Sequence, residues 1–159
     1  MDDDVTGDQG RFADPGWTTA ELLSGTVLIE CPTCRSRAQV VARRPANKGF
    51  GPRRLSCGEC AYVADHDGNE WIVYEDGRDP WFGLPLWYRK QIALGVLWAY
   101  NEDHLEALRD YVLADLRERQ KSESSGWANQ SIFSRLPSWM KKAQNRKRIA
   151  AALDDMRHR

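Results

Sequence analysis

Apolar residues fall into short β-prone runs over the first hundred positions and into helical stripes only after that. Val27-Leu28-Ile29 predicts a short strand, and Ala38-Gln39-Val40-Val41-Ala42-Arg43 has strand composition. Arg53-Arg54-Leu55-Ser56 reads as a returning strand, Tyr62-Val63-Ala64 leads to a turn, and Trp71-Ile72-Val73-Tyr74 forms the next strand. Asn47-Lys48-Gly49-Phe50-Gly51-Pro52 is a turn-rich loop, and Asp67-Gly68-Asn69 is a hairpin signal. Asp79-Pro80-Trp81-Phe82-Gly83-Leu84-Pro85-Leu86-Trp87 is aromatic and broken by two prolines, so it is not a helix. Leu86 to Ile92 and Val96 to Tyr100, around Gly95, predict a β-hairpin. A helix through Leu86, Lys90, Leu94 and Trp98 is the competing pattern, but Gly95 would interrupt it.

Helical periodicity is clearest over residues 101–121. Asn101 suits the N-cap, Glu102 and Asp103 suit the positive end of the dipole, and Leu105, Leu108, Val112 and Leu116 form one apolar stripe. Arg117, Arg119 and Lys121 suit the opposite end, and Ser122 to Gly126 reads as a polar linker. Pro137 takes a first helical position that places Trp139, Met140 and Ala143 on one face. Asn145 then breaks the stripe, which resumes at Ile149, Leu153 and Met156. Residues 1–25, punctuated by Asp2 to Asp4, Gly7, Gly10, Pro15 and Gly16, read as a mobile acidic arm. Within it, Thr18 or Thr19 is placed to start one short helical turn. The expected organisation is an acidic arm over 1–25, an antiparallel unit over 26–75, and a β-hairpin with two or three helices over 76–159. The fold class is α+β, packed as one body.

The net charge is zero, but it is built from opposed blocks. Residues 1–30 carry seven acids and one base, and residues 31–60 carry one acid and seven bases. Residues 61–120 carry twelve acids and six bases, and residues 121–159 carry three acids and nine bases. A basic block is either a nucleic-acid footprint or the counterpart of the acidic block beside it. No run of 18 apolar residues occurs, so no transmembrane helix is expected.

The strongest chemical signal is a pair of CxxC motifs, Cys31-Pro-Thr-Cys34 and Cys57-Gly-Glu-Cys60, which hold all four cysteines. Two sulfurs three positions apart on a tight turn span adjacent corners of a tetrahedron, and a hairpin brings back the second pair. This spacing predicts one structural zinc ion. A thioredoxin-like site needs only one pair in a βαβ setting, and no such pattern is present. The acidic start lacks a signal peptide, so a cytoplasmic, reducing location is expected and a disulfide framework is not. An iron–sulfur site with four thiolates remains open. Four thiolates leave no position for an activated water, and His66 reads as a surface residue in its turn.

The two knuckles resemble the rubredoxin-like turns of zinc ribbons such as those in transcription factor IIB. Such knuckles often carry Gly after the second Cys, where Arg35 and Ala61 stand here. The chain from about 26 to 157 is similar to small bacterial proteins of unknown function that contain a IIB-type ribbon. The resembling stretches are Asp79 to Trp87, Leu97-Trp98-Ala99-Tyr100-Asn101 with His104-Leu105, and Arg135 to Lys141 followed by Asn145-Arg146. The resemblance implies a ribbon and a structural zinc, and no activity.

No phosphate-binding loop, GxSxG or HExxH motif is present, so no enzyme is expected. His104 reads as a surface or capping residue. Two binding classes remain. In the first, Arg43, Arg44, Lys48, Arg53 and Arg54 of the central hairpin track DNA or RNA phosphates while Phe50 stacks on a base. In the second, the strip Trp81, Phe82, Leu84, Leu86 and Trp87 docks a protein partner on a zinc scaffold. No membrane and no small-molecule substrate are expected.

Overall fold

The computed structural model describes residues 10–44, 50–118, 121–122, 126–127 and 131–159. The first half contains β1 (Arg11–Ala13), α1 (Thr19–Ser24), β2 (Val27–Glu30), β3 (Arg37–Ala42), β4 (Arg53–Cys57) and β5 (Val63–His66). The second half contains β6 (Tyr88–Ile92), β7 (Gly95–Ala99), α2 (Glu102–Leu113), β8 (Leu116–Glu118), α3 (Ser138–Lys141) and α4 (Arg146–Arg157). A 3-10 turn over Ala143–Asn145 joins α3 to α4. The fold is α+β, as expected.

Strands β2-β3-β4-β5 form an antiparallel meander in sequence order. Alternation sorts its faces. Val27, Ile29, Ala38, Val40, Leu55 and Cys57 are buried on one side, while Leu28, Glu30, Gln39 and Ser56 lie towards the other. The odd-numbered backbone groups of β2 face β3, which leaves the even ones for another partner. Trp87 N–H donates to Leu28 O (2.9 Å), Leu28 N–H donates to Tyr100 O (2.8 Å), and Glu30 N–H donates to Pro85 O (2.9 Å). The sheet is thereby continued by the Pro85–Trp87 segment, and its apolar face packs against Trp81, Leu86, Tyr100 and the α1 leucines.

The predicted hairpin forms as β6–β7, with Ile92 opposite Gly95. Gly95 has φ +152°, and a Cβ there would meet the Trp139 ring at 2.8 Å, so both conformation and space require glycine. Helices α2 and α4 cover this hairpin. Leu105, Leu108, Val112, Ile149, Leu153 and Met156 pack with Tyr88, Leu97 and Ala99 in one core. Asn101 caps α2 by accepting from His104 N–H (2.9 Å), and the expected break at Asn145 separates α3 from α4.

Five local expectations are corrected. The segment from Gly10 to Gly25 is packed structure rather than an arm. Phe12 is buried on Tyr111 and Phe133, Asp14 accepts from Ser131 Oγ (2.7 Å), and Leu22 and Leu23 are buried. Thr18 and Glu21 form a capping box that starts α1 as anticipated; Asp2 to Asp4 lie outside the described residues. The helix predicted to residue 121 ends at Leu113, because Leu116–Glu118 pairs in parallel with Arg11–Ala13. Lys121–Ser122 likewise pairs with Gly126–Trp127, where a linker was expected. Residues 71–74 form no strand. Instead, Ile72 N–H donates to Pro80 O (3.1 Å) and the Trp71 ring meets Phe50 at 5.9 Å.

His104 is the fifth correction. It is 3% exposed, and its Nδ1 accepts from Tyr100 N–H (3.1 Å), fixing the β7–α2 junction. Burial pushes its pKa down to about 3, so the folded protein holds it neutral. The unfolded chain takes up a proton near pH 6.5, and the native state does not until about 3. Stability is therefore expected to fall as pH drops through that window, by up to one proton's slope. Denaturant unfolding between pH 7 and 4 should show this slope, and His104→Gln should reduce it.

Candidate metal centre

Each cysteine pair sits on a turn at the same end of the sheet. Cys31 follows β2 and Cys34 precedes β3, while Cys57 ends β4 and Cys60 precedes β5. The antiparallel register sets Ala38 opposite Cys57 and so brings the turns together. The two knuckles share one backbone pattern. Cys31 N–H donates to Ser36 O, and Cys57 N–H donates to Tyr62 O, both at 2.9 Å across the same five-residue interval. In each, the residue after the second cysteine is left-handed: Arg35 has φ 62° and Ala61 φ 59°.

The four sulfurs lie within 4.8 Å of one another. Cys31 Sγ to Cys60 Sγ and Cys34 Sγ to Cys57 Sγ are each 3.6 Å. Metal–sulfur bonds of about 2.3 Å in a tetrahedron require sulfurs about 3.8 Å apart, so the cluster fits a single four-thiolate ion. All four thiols are free, with Cys31 and Cys57 buried and Cys34 and Cys60 exposed. The Ser36 amide and hydroxyl hold the Cys34 thiol down to about 6. Cys60 is pushed up to about 12: the Tyr62 amide pulls it down, but partial desolvation of the thiol and three neighbouring sulfurs outweigh that pull. A cation at the centre removes this repulsion by taking four thiolates together, and its binding releases protons.

The basic residues of the central hairpin do not act as one group. Arg53 is 1% exposed, donates from Nη2 to Leu23 O (3.3 Å) and lies 4.6 Å over the Trp81 ring. It is a core residue and cannot contact a phosphate. Arg54 is held bidentate by Asp65, with Nε–Oδ1 2.9 Å and Nη2–Oδ2 3.0 Å, and this contact keeps the Asp65 carboxyl below its usual range. Arg43 lies 3.8 Å from the same carboxylate. Arg43 and Arg44 are exposed, and Phe50 is 48% exposed at the base of the same loop, where Arg43 N–H donates to Pro52 O. Lys48 lies outside the described residues. The strip Trp81 to Trp87 is mainly interior: Trp81 and Leu86 are buried, and the Arg159 guanidinium covers Trp87 at 4.2 Å.

Sequence reasoning missed Asp79. Its carboxylate is buried and accepts from the backbone N–H groups of Trp81 (3.1 Å), Phe82 (2.8 Å) and Leu84 (2.7 Å). Burial nevertheless pushes its pKa up. The Asp-Pro dipeptide ahead of a glycine was the available signal for such a turn. Comparison with family models, curated proteins and solved structures finds no match. No helix among the described residues is long and apolar enough to cross a membrane.

Non-glycine residues at φ near +60° carry a steric cost of roughly 1–2 kcal/mol. Ala61→Gly should therefore raise stability by about 1 kcal/mol in denaturant titrations of the metal-loaded protein, with the metal content unchanged.

Proposed function

We propose that this chain is a non-enzymatic binding module organised by one structural zinc ion in a ribbon of the transcription factor IIB type, and that its β3–β4 loop contacts nucleic acid. The observation that carries the binding reading is the exposure of Arg43, Arg44 and Phe50 together at the loop end of the sheet, away from the knuckles. Cations beside an aromatic face suit a phosphate backbone with a stacked base. Arg54 serves to hold Asp65, and Arg53 belongs to the core, so the surface is smaller than the run of basic residues in the sequence. Zinc is favoured by the four-sulfur tetrahedron and by the resemblance of both knuckles to ribbon turns. A filled shell leaves no open coordination position for chemistry, which supports a structural role.

The protein-adaptor reading rests on a different surface from the aromatic strip. Phe50, Ile72 and Val73 are large apolar side chains left exposed in neighbouring segments. Such a patch suits a protein contact.

Elemental analysis of purified protein should give one zinc per chain, lost on acidification as the thiolates protonate; iron, or no metal in reduced protein, overturns the zinc reading. Titration of short DNA and RNA should show affinity that falls steeply with salt and is markedly weakened in an Arg43→Glu, Arg44→Glu, Phe50→Ala variant. Unchanged binding by that variant overturns the loop contact, and no binding by the wild type at low salt leaves the adaptor reading.

A further inference from the structure

From Ser124 to Leu153 the chain has six basic residues and no acidic one. The structure gathers the densest part of this run around one helix end. Lys142 is exposed at the close of α3, and Lys147 and Arg148 are exposed in the first turn of α4, five and six residues later. Lys147 and Arg148 thus stand at the positive end of the α4 dipole, where acids are favoured and cations are not. The α4 first turn contains no acid, and Asn145 makes no capping hydrogen bond, its Nδ2 donating to Trp139 O instead (2.9 Å).

The other charges of α4 are accounted for. Arg146 pairs with Asp115, Asp154 with Arg109, Asp155 with Lys90, and Arg157 with Glu106. Among the described residues no ion pair forms at Lys142, Lys147 or Arg148. The positions three and four residues after Lys147 and Arg148 are all alanines, Ala150 to Ala152, so the helix supplies no acid within reach. A helix whose acids stand in its last turns and whose bases crowd its first is electrostatically inverted. A solvated face has no need of that inversion, whereas a phosphate backbone laid across it would be bound by three side-chain cations and the dipole together.

We infer that the α3–α4 corner, through Lys142, Lys147 and Arg148, is a nucleic-acid backbone contact surface separate from the β3–β4 loop. The test is fluorescence anisotropy with about 20-nucleotide single- and double-stranded DNA and RNA, across low to moderate salt. Phosphatidylserine vesicles serve as a second anionic probe. The Lys142→Gln, Lys147→Gln, Arg148→Gln variant should bind oligonucleotide at least about tenfold more weakly. Its salt dependence should become shallower by about 0.9 in slope for each phosphate no longer neutralised.

A second variant separates binding from folding. Lys147→Glu, Arg148→Glu places acids where the dipole favours them, so it should melt higher than the wild type and still bind oligonucleotide more weakly. A lower melting temperature would remove the inversion argument and the inference with it. Unchanged affinity and slope in the glutamine variant would overturn the inference, whatever the β3–β4 loop variant does. Loss of binding in the α3–α4 variants but not in the loop variant would support this surface and overturn the loop reading. Wild-type binding to vesicles alone, or to neither probe, overturns the inference.

Discussion

Strand β2 uses both of its edges, and the architecture on either side depends on this. Its odd residues pair with β3, and its even residues pair with Pro85, Trp87 and Tyr100. Proline at 85 fits because only its carbonyl is needed, taken by Glu30 N–H, and no amide is orphaned. Each such bond contributes about 1 kcal/mol net, and leaving a buried one unmade would cost more. The stronger consequence is geometric. Cys31 begins where β2 ends, so the first knuckle is anchored by a strand that also carries the β6–β7 hairpin and its helices. The metal site and the helical core therefore share one structural member.

The link is reinforced by the turn that leads into Pro85. Asp79 gathers three amides into one buried carboxylate, and its own N–H donates to Leu84 O (2.8 Å). This closed turn fixes the direction in which residues 85–87 approach β2. His104 plays the matching part on the far side, where its Nδ1 takes the Tyr100 amide while Tyr100 O takes Leu28 N–H. Two polar side chains hidden from water thus set the two segments that meet the outer edge of β2. Their burial without charged partners is tolerable only because backbone groups satisfy them.

Features set by local chemistry were legible in the sequence. The CxxC pairs, the hairpin around Gly95, the Asn101 cap and the break at Asn145 each depend on residues within a few positions of one another. Features set by a distant partner were not. Leu116 continues a good helical stripe, and only the presence of Arg11–Ala13 draws it into a strand. Trp71 to Tyr74 have strand composition but find no strand to pair with, because β-propensity reports fit to a pleated surface that must already exist. Arg53 was misjudged for a related reason. Arginine reads as surface until an aromatic face and a carbonyl are placed around it, here by Trp81 and Leu23.

The zero net charge conceals how the opposed blocks are used. The basic tail folds back on acids from earlier in the chain, through Arg146 to Asp115, Arg157 to Glu106 and Arg159 to Glu30. Exposed pairs of this kind contribute about 0–1 kcal/mol each, so they balance charge more than they hold the fold. What distinguishes the remaining cations is where they stand rather than how many they are. Arg43 and Arg44 are exposed at the close of β3, and the Asp65 carboxylate that Arg43 approaches at 3.8 Å is already held bidentate by Arg54. Lys147 and Arg148 stand at a helix end that disfavours each cation by roughly 0.3–1 kcal/mol. Charges that the fold holds in no close hydrogen-bonded pair are the ones left available to an anionic partner.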